Sequence, residues 1–95
     1  MTREKVKEVI TRYRGKFEKL GVVKADYPHE KILDSPGHAL EHCHGMLEEM
    51  EEFLEQDRLD KAYRWLGFVQ GVLWAEKIYP LAELKNHNRK DADAM

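Results

Sequence analysis

Three histidines and the only cysteine of the chain are concentrated in one short stretch, GHALEHCHG, at residues 37–45. His38 and His42 are four residues apart, the spacing at which two imidazoles on one face of a helix can bind the same metal ion. A structural zinc site needs four ligands and a catalytic one usually needs three, so another ligand must come from elsewhere in the chain, either His87 or His29. The spacing therefore indicates a candidate zinc or nickel site at His38, His42 and His87.

The same stretch also fits an ordinary helix of a protein core. Cys43 belongs to a seam of apolar residues on a different helix face from His38 and His42, and a small buried thiol is typical of such a position. His44 has acidic neighbours about one helical turn away on either side, which is common surface pairing. Since the chain has neither a CxxC nor an HExxH motif, the core helix is the favoured interpretation.

A second group of residues, within the run KAYRWLGFVQGVLW, suggests an interface. Its two glycines interrupt a helical pattern, where each costs about 1 kcal/mol relative to alanine. Close approach of another helix would compensate, and that helix could be the first helix of the same chain or a helix of a partner. Tryptophan and arginine are the residue types most enriched among interface hot spots. The candidate interface residues are Arg64, Gly67, Gln70, Gly71 and Trp74.

No group of residues in the sequence indicates catalysis. The only serine, Ser35, stands where a helix begins, and no base accompanies it or Cys43 in a nucleophile motif. No glycine-rich loop follows a strand pattern, and the many carboxylates of the second helix lie on a solvated face. We therefore expect a protein that is not an enzyme.

Helical periodicity and the signals for helix ends predict an all-α bundle of one domain, residues 1–95. Thr2, Ser35 and Asp57 are the expected N-caps, and Gly21 is expected to follow the end of the first helix. The tail, residues 88–95, lacks apolar side chains to bury and is expected to fray. The three main helices are predicted at about 3–20, 36–55 and 58–79, and a short C-terminal helix at about 80–87.

The third predicted helix is apolar on nearly every side, and we expect it to be central to the bundle. A chain of 95 residues supplies few other elements to cover it. We therefore expect a second chain to cover part of its surface. The predicted assembly is a homodimer formed through the third or the first helix, and a host protein is a further possible partner.

Charge is nearly balanced overall, with 16 basic and 18 acidic residues and a net charge of −2. That balance provides no basic field for nucleic-acid binding. Residues 32–57 contain eight acids and no lysine or arginine, whereas the first helix is rich in both. Mutual neutralisation of the two helices is the favoured explanation, and an acidic decoy for a basic host protein is the alternative. The decoy surface would consist of Glu48, Glu49, Glu51, Glu52 and Glu55.

The cellular compartment is suggested by features that the sequence lacks. No apolar run approaches the roughly 20 residues of a membrane span, and the N-terminus, MTREKVKEV, is charged helix rather than a signal peptide. A single cysteine cannot form an internal disulfide. We expect a cytoplasmic protein that does not contact a membrane.

The run KAYRWLGFVQGVLW, followed by IYPLAELKNHNR, resembles a group of short proteins of tailed-phage genomes and bacterial prophages. The likeness extends back through HALEHCHGMLEEMEEF and covers roughly residues 28–90. This resemblance implies a small helical cytosolic protein of phage type, and it carries no catalytic or ligand residues. The favoured function is a non-enzymatic interaction or regulatory module. A module that binds a metal or a small ligand through the histidines of the second helix is the first alternative, and the acidic decoy is the second.

Overall fold

Four helices account for the regular structure of residues 1–89, which are the residues that the computed structural model describes. They are α1 (Arg3–Lys19), α2 (His38–Glu55), α3 (Leu59–Ala75) and α4 (Leu81–His87), and this part of the chain contains no strand. The all-α prediction of three main helices and a short C-terminal one is confirmed. None of these helices is long and apolar enough to cross a membrane. Most of the tail expected to fray, residues 90–95, lies outside the described residues.

Both ends of α1 follow the predicted signals. The Thr2 hydroxyl accepts a hydrogen bond from the Lys5 N–H at 3.1 Å, which satisfies one of the unpaired N–H groups of the first turn. At the other end Gly21 adopts a left-handed conformation with φ 73°. The Val22 N–H then donates to the Phe17 carbonyl at 2.9 Å, so the chain leaves the helix in a glycine-terminated turn.

The predicted caps of α2 and α3 are wrong. Residues 35–37 form a turn, and Gly37, with φ 90°, occupies the N-cap position, so α2 begins two residues later than expected. The His38 N–H donates a hydrogen bond to the Ser35 backbone carbonyl at 3.4 Å, and the Ser35 side chain does not cap the helix. Asp57 adopts a left-handed conformation with φ 59° and closes α2, which leaves Arg58 as the N-cap of α3.

Helix α3 ends at Ala75, four residues before the predicted end. Lys77 takes the left-handed conformation, φ 64°, that glycine usually supplies, and the Ile78 N–H donates to the Leu73 carbonyl at 2.9 Å. Ile78 and Tyr79 continue the apolar period of the helix in the sequence. In the structure they fold back and pack against the core from the turn between α3 and α4.

The apolar seams predicted for α2 and α3 form the core, with α1 packed across them. Helix α2 buries eight residues and α3 only four, and α1 packs mainly against α2. Helix α3 contacts each of the other three helices, as expected of a central helix, but α1 leaves one side of α3 uncovered. The core side chains are Val6, Val9, Ile10, Tyr13, Phe17, Leu40, Cys43, Met46, Leu47, Met50, Phe53, Leu54, Ala62, Leu66, Val69, Leu73 and Leu84.

Ion pairs connect the basic helix to the acidic one. The Arg14 guanidinium pairs with the Glu51 carboxylate, which joins α1 to α2. Arg3 donates to the Leu54 carbonyl at the end of α2 and pairs with Asp57 at 3.4 Å. These contacts support neutralisation between the two helices. Glu51 therefore faces α1, while the other acids of the predicted decoy surface are exposed.

Candidate functional site

The segment between α1 and α2, residues 20–37, lies along α2 and is called the connector below. The Ala25 N–H donates to the Glu41 carbonyl at 3.1 Å, and the Ala25 carbonyl oxygen lies 2.6 Å from the position that a Cβ of Gly45 would occupy. Real Cβ atoms do not approach an oxygen so closely, so the glycine at 45 allows the connector to contact the backbone of α2 directly.

The histidines of α2 help to hold the connector in this position. Nδ1 of His44 donates to the Val22 carbonyl at 2.8 Å, and its ring packs on Phe17. Nδ1 of His42 accepts from the Tyr27 N–H at 3.1 Å, and the His38 ring stacks on the Tyr27 ring with a centroid distance of 4.8 Å. Every histidine of the HALEHCH stretch thus contacts the connector.

Cys43 is fully buried among the apolar residues of α2, as its position in the seam predicts. Burial raises the pKa of the Cys43 thiol to about 12. The side chain is therefore a neutral thiol at ordinary pH and acts as a small apolar residue. It is neither a nucleophile nor a ligand of an ion at the surface.

One group of potential metal ligands occurs on the connector side of α2. Single ligand atoms of Asp26, His29 and His42 all lie within 4.8 Å of one another, and no other such group of three occurs in residues 1–89. The Asp26 carboxylate is 3.9 Å from Nδ1 of His42, and the rings of His29 and His42 meet edge to face with centroids 6.0 Å apart. We call these residues the open cluster.

The structure does not bring together the predicted set of His38, His42 and His87. His38 pairs with Asp34 at 3.7 Å, and His87 is buried between α1, α3 and α4. His29, the alternative third ligand, does lie beside His42. No sequence signal marked Asp26, because it belongs to an irregular segment in which periodicity does not report which residues meet.

His87 belongs to a second polar group, the closed network, which consists of Tyr13, Gln70, His87 and Asn88. The Tyr13 hydroxyl is 2.9 Å from Nδ1 of His87, and the Gln70 amide donates to Tyr13 at 2.9 Å. The amides of Gln70 and Asn88 also exchange two hydrogen bonds, at 2.8 and 3.0 Å. These bonds attach α4 and its C-cap to α1 and α3.

The imidazole of the closed network is placed between two polar groups. Its Nδ1 faces the Tyr13 hydroxyl, and its Nε2 is 3.9 Å from the Glu83 carboxylate. Burial raises the pKa of Tyr13 to about 12, although the hydrogen bond from Gln70 opposes that shift. Gln70, a predicted interface residue, is thus half-buried and hydrogen-bonded within the bundle.

The remaining predicted interface residues lie on an uncovered side of α3. Arg64, Gly67, Gly71 and Trp74 are exposed together with Phe68, and these five residues are called the exposed α3 face below. The side chains of Phe68 and Trp74 are each 56 % exposed. Within residues 1–89, no atom of another element lies within 4 Å of the position that a Cβ would occupy at either glycine, so α1 does not pack into the glycine groove.

Two neighbouring grooves share four lining residues, His29, His42, Met46 and Trp65. The first, ≈ 490 Å³, contains the open cluster together with Glu48, Glu49 and Glu52. The second, ≈ 710 Å³, has no acidic residue in its lining and joins Leu33 of the connector to Arg64 and Phe68 of α3. The linings of the two grooves therefore differ strongly in charge.

The chain matches no protein-family model, no curated protein and no solved structure. Its own residues are therefore the basis for assigning a function. The exposed α3 face and the open cluster are not accounted for by packing within the described residues. They lie on different elements and differ in chemistry.

Proposed function

We propose that this protein is a non-enzymatic interaction module that forms a homodimer through the exposed α3 face. The observation that supports this function is that two large aromatic side chains, Phe68 and Trp74, are each 56 % exposed and flank two helix glycines that the other elements of residues 1–89 leave open. Exposed apolar patches on a small protein mark sites of association. The glycines add a place where a second backbone can approach.

The other exposed helix faces have a different composition, which argues that the exposed α3 face is specialised. The outer surface of α2 presents Glu48, Glu49, Glu52 and Glu55, and that of α1 presents mainly lysine, arginine and glutamate. Such charged surfaces are well solvated and resist association. On the exposed α3 face the only charged residue is Arg64, a type that interfaces favour.

A second copy fits this face geometrically. If two α3 helices cross antiparallel about a twofold axis at the level of residue 69, Gly67 lies opposite the partner's Gly71. The same axis places Arg64 opposite the partner's Trp74, where a guanidinium can stack on an indole ring. Each contact occurs twice, because a twofold interface repeats every pair.

The size of the face limits the expected affinity. Helix α3 has 17 residues and is therefore about 25 Å long, so one face roughly 10 Å wide covers about 250 Å². A stable interface buries about 800 Å² per partner. The neighbouring groove, with the half-exposed Leu33, adds only part of the missing surface area. We expect a dissociation constant on the order of 10 µM.

Sedimentation velocity of the full chain, measured from low micromolar to millimolar concentration, tests the proposal. We expect the wild-type protein to shift from monomer to dimer across this range. Gly71→Leu places a branched side chain where the two backbones approach and should weaken the dimer at least about tenfold. Circular dichroism should show an unchanged helix content, because leucine is a better helix former than glycine.

Gly15→Leu is the matched control for this experiment. Gly15 is an exposed glycine inside α1 that also has open space around it, so the substitution changes helix propensity equally without touching α3. A wild-type protein that stays monomeric throughout the range would contradict the proposal. So would a dimer that Gly15→Leu dissociates and Gly71→Leu does not, since that result would assign the interface to α1.

The relation to short phage and prophage proteins and the cytoplasmic location stay predictions. Both are compatible with a small module that acts by binding, and a regulatory host protein could replace the second copy as the partner. A crosslinker attached at position 74 would distinguish a second copy of the chain from a host protein as the partner inside cells. A crosslinked band of twice the chain mass supports self-association, and a heterologous band would contradict it.

A further inference from the structure

We infer that the open cluster, Asp26, His29 and His42, is a binding site for a divalent transition-metal ion such as zinc. Two imidazoles and one carboxylate converge within 4.8 Å at the edge of a groove. A bound zinc ion lies about 2.0–2.2 Å from nitrogen and oxygen ligands, so its ligand atoms are about 3–3.5 Å apart. Closing the cluster around an ion therefore requires movements of roughly 1 Å.

The positions of the three side chains are set by two independent parts of the fold. His42 belongs to the rigid helix α2, whereas Asp26 and His29 belong to the connector. The contact of Ala25 with Gly45 brings the connector backbone against α2 immediately before Asp26. The backbone is thus held in place, while the exposed side chains of Asp26 and His29 can rotate toward an ion.

Nearby charge favours a cation at this position. The groove that contains the open cluster is also lined by Glu48, Glu49 and Glu52, with Lys24 as its one basic residue. Clefts lined by one sign of charge raise the local concentration of the opposite ion. The neighbouring groove has no acidic residue in its lining, so the acidic lining is specific to the groove that contains the cluster.

The ligand set selects the class of metal ion. Imidazole suits zinc, nickel and copper, whereas magnesium and calcium prefer sites made entirely of oxygen ligands. Two histidines and one aspartate are three ligands, and water would complete the coordination of zinc. The arrangement therefore fits a zinc or nickel ion and does not fit magnesium.

One hydrogen bond must be given up for the ion to bind. Nδ1 of His42 accepts from the Tyr27 N–H, so the neutral ring carries its proton on Nε2. An ion at Nδ1 replaces the bond from Tyr27. An ion at Nε2 requires the ring proton to move from Nε2 to Nδ1, and Nδ1 then no longer accepts from the Tyr27 N–H. The bonds of Ala25 to Glu41 and of His44 to Val22 remain in either case. We therefore expect a micromolar site, weaker than a structural zinc site with four ligands.

Isothermal titration of the tag-free full chain with zinc chloride tests this inference. We expect one zinc ion per chain and no heat of binding with magnesium chloride. His29→Gln removes one ligand from an exposed position and should weaken zinc binding at least about tenfold without changing the fold. Asp26→Asn should also weaken zinc binding.

Asp34→Asn is the matched control for Asp26→Asn, because it changes the same residue type at an exposed connector position outside the open cluster. It should bind zinc like the wild-type protein. The inference is overturned if the wild-type chain binds no zinc at millimolar concentration, or if Asp26→Asn and His29→Gln bind it as tightly as Asp34→Asn does. The Gly71→Leu variant should retain zinc binding, which separates this site from the proposed dimer.

Discussion

The closed network and the open cluster use the same side-chain chemistry for different purposes. Both contain an imidazole held by hydrogen bonds, but His87 is 5 % exposed, and its Nδ1 faces a buried tyrosine. His29 and Asp26 are exposed beside an acidic groove. Burial therefore distinguishes a histidine that stabilises the fold from one that is accessible to a ligand. Residue type alone does not make this distinction.

The largest expected effect is the difference in the free energy of unfolding between the His87→Ala and His29→Ala variants. His87→Ala removes a buried ring that contacts Tyr13 and Tyr79 and takes away the hydrogen-bond partner that His87 provides to the Tyr13 hydroxyl, so we expect a loss of about 3 kcal/mol of stability. His29→Ala changes an exposed side chain and should stay within about 0.5 kcal/mol of the wild-type protein. Urea denaturation of both variants measures this difference. Equal losses would mean that the two groups are not distinguished by burial.

Alkaline pH should destabilise the closed network through the titration of its buried tyrosine. The pKa of Tyr13 rises from 10.0 in the unfolded chain to about 12 in the fold. The contribution of neutral Tyr13 to the free energy of unfolding is therefore fully present below pH 10 and is lost as pH rises toward 12. A shift of about two units corresponds to about 2–3 kcal/mol. Buried Cys43 has a shift in the same direction, from 9.0 to about 12, and therefore has to be removed first.

The measurement is the unfolding free energy between pH 9 and pH 12 in a Cys43→Ala background. Adding Tyr13→Phe should flatten the decline, because phenylalanine has no proton to lose. Adding His29→Ala should leave the decline unchanged. A Tyr13→Phe curve as steep as that of the background would show that Tyr13 is not the group responsible.

The smallest of the three effects concerns the attachment of the open cluster to α2. A Cβ at position 45 would lie 2.6 Å from the Ala25 carbonyl oxygen, so Gly45→Ala has to displace the connector. We expect a loss of about 1–2 kcal/mol in urea denaturation, together with weaker zinc binding as Asp26 and His29 move from His42. Gly15→Ala, with open space around it, should instead stabilise the protein by about 0.5–1 kcal/mol. Stabilisation by both substitutions would contradict a close connector contact.

Much of the fold could be predicted from the sequence, because its signals are local. The spacing of Leu40, Cys43 and Leu47 places them on one face of α2 whatever the rest of the chain does, and all three are buried. Thr2 and Gly21 act within one turn of the groups that they cap. The end of α3 could not be predicted, because Lys77 supplies a left-handed turn that favours glycine or asparagine.

The candidate sites could be predicted only in part. Four of the five predicted interface residues lie on the exposed α3 face, since a helical stripe follows from spacing alone. Gln70 was assigned to the same stripe, although its amide points into the bundle and pairs with Asn88. Phe68 extends the apolar seam in the sequence and is nevertheless exposed, because the packing of α1 decides which side of α3 is covered.

The sequence by itself determined where the helices lie and which of their faces are apolar, because a period of 3.6 residues is a property of neighbouring positions. Only the tertiary structure decided which histidine meets which partner. His29 and Asp26 reach His42 because the connector crosses α2 at Gly45, and His87 reaches Tyr13 because the turn after α3 returns α4 to the core. Contacts between distant residues depend on the path of the whole chain, which no local pattern records.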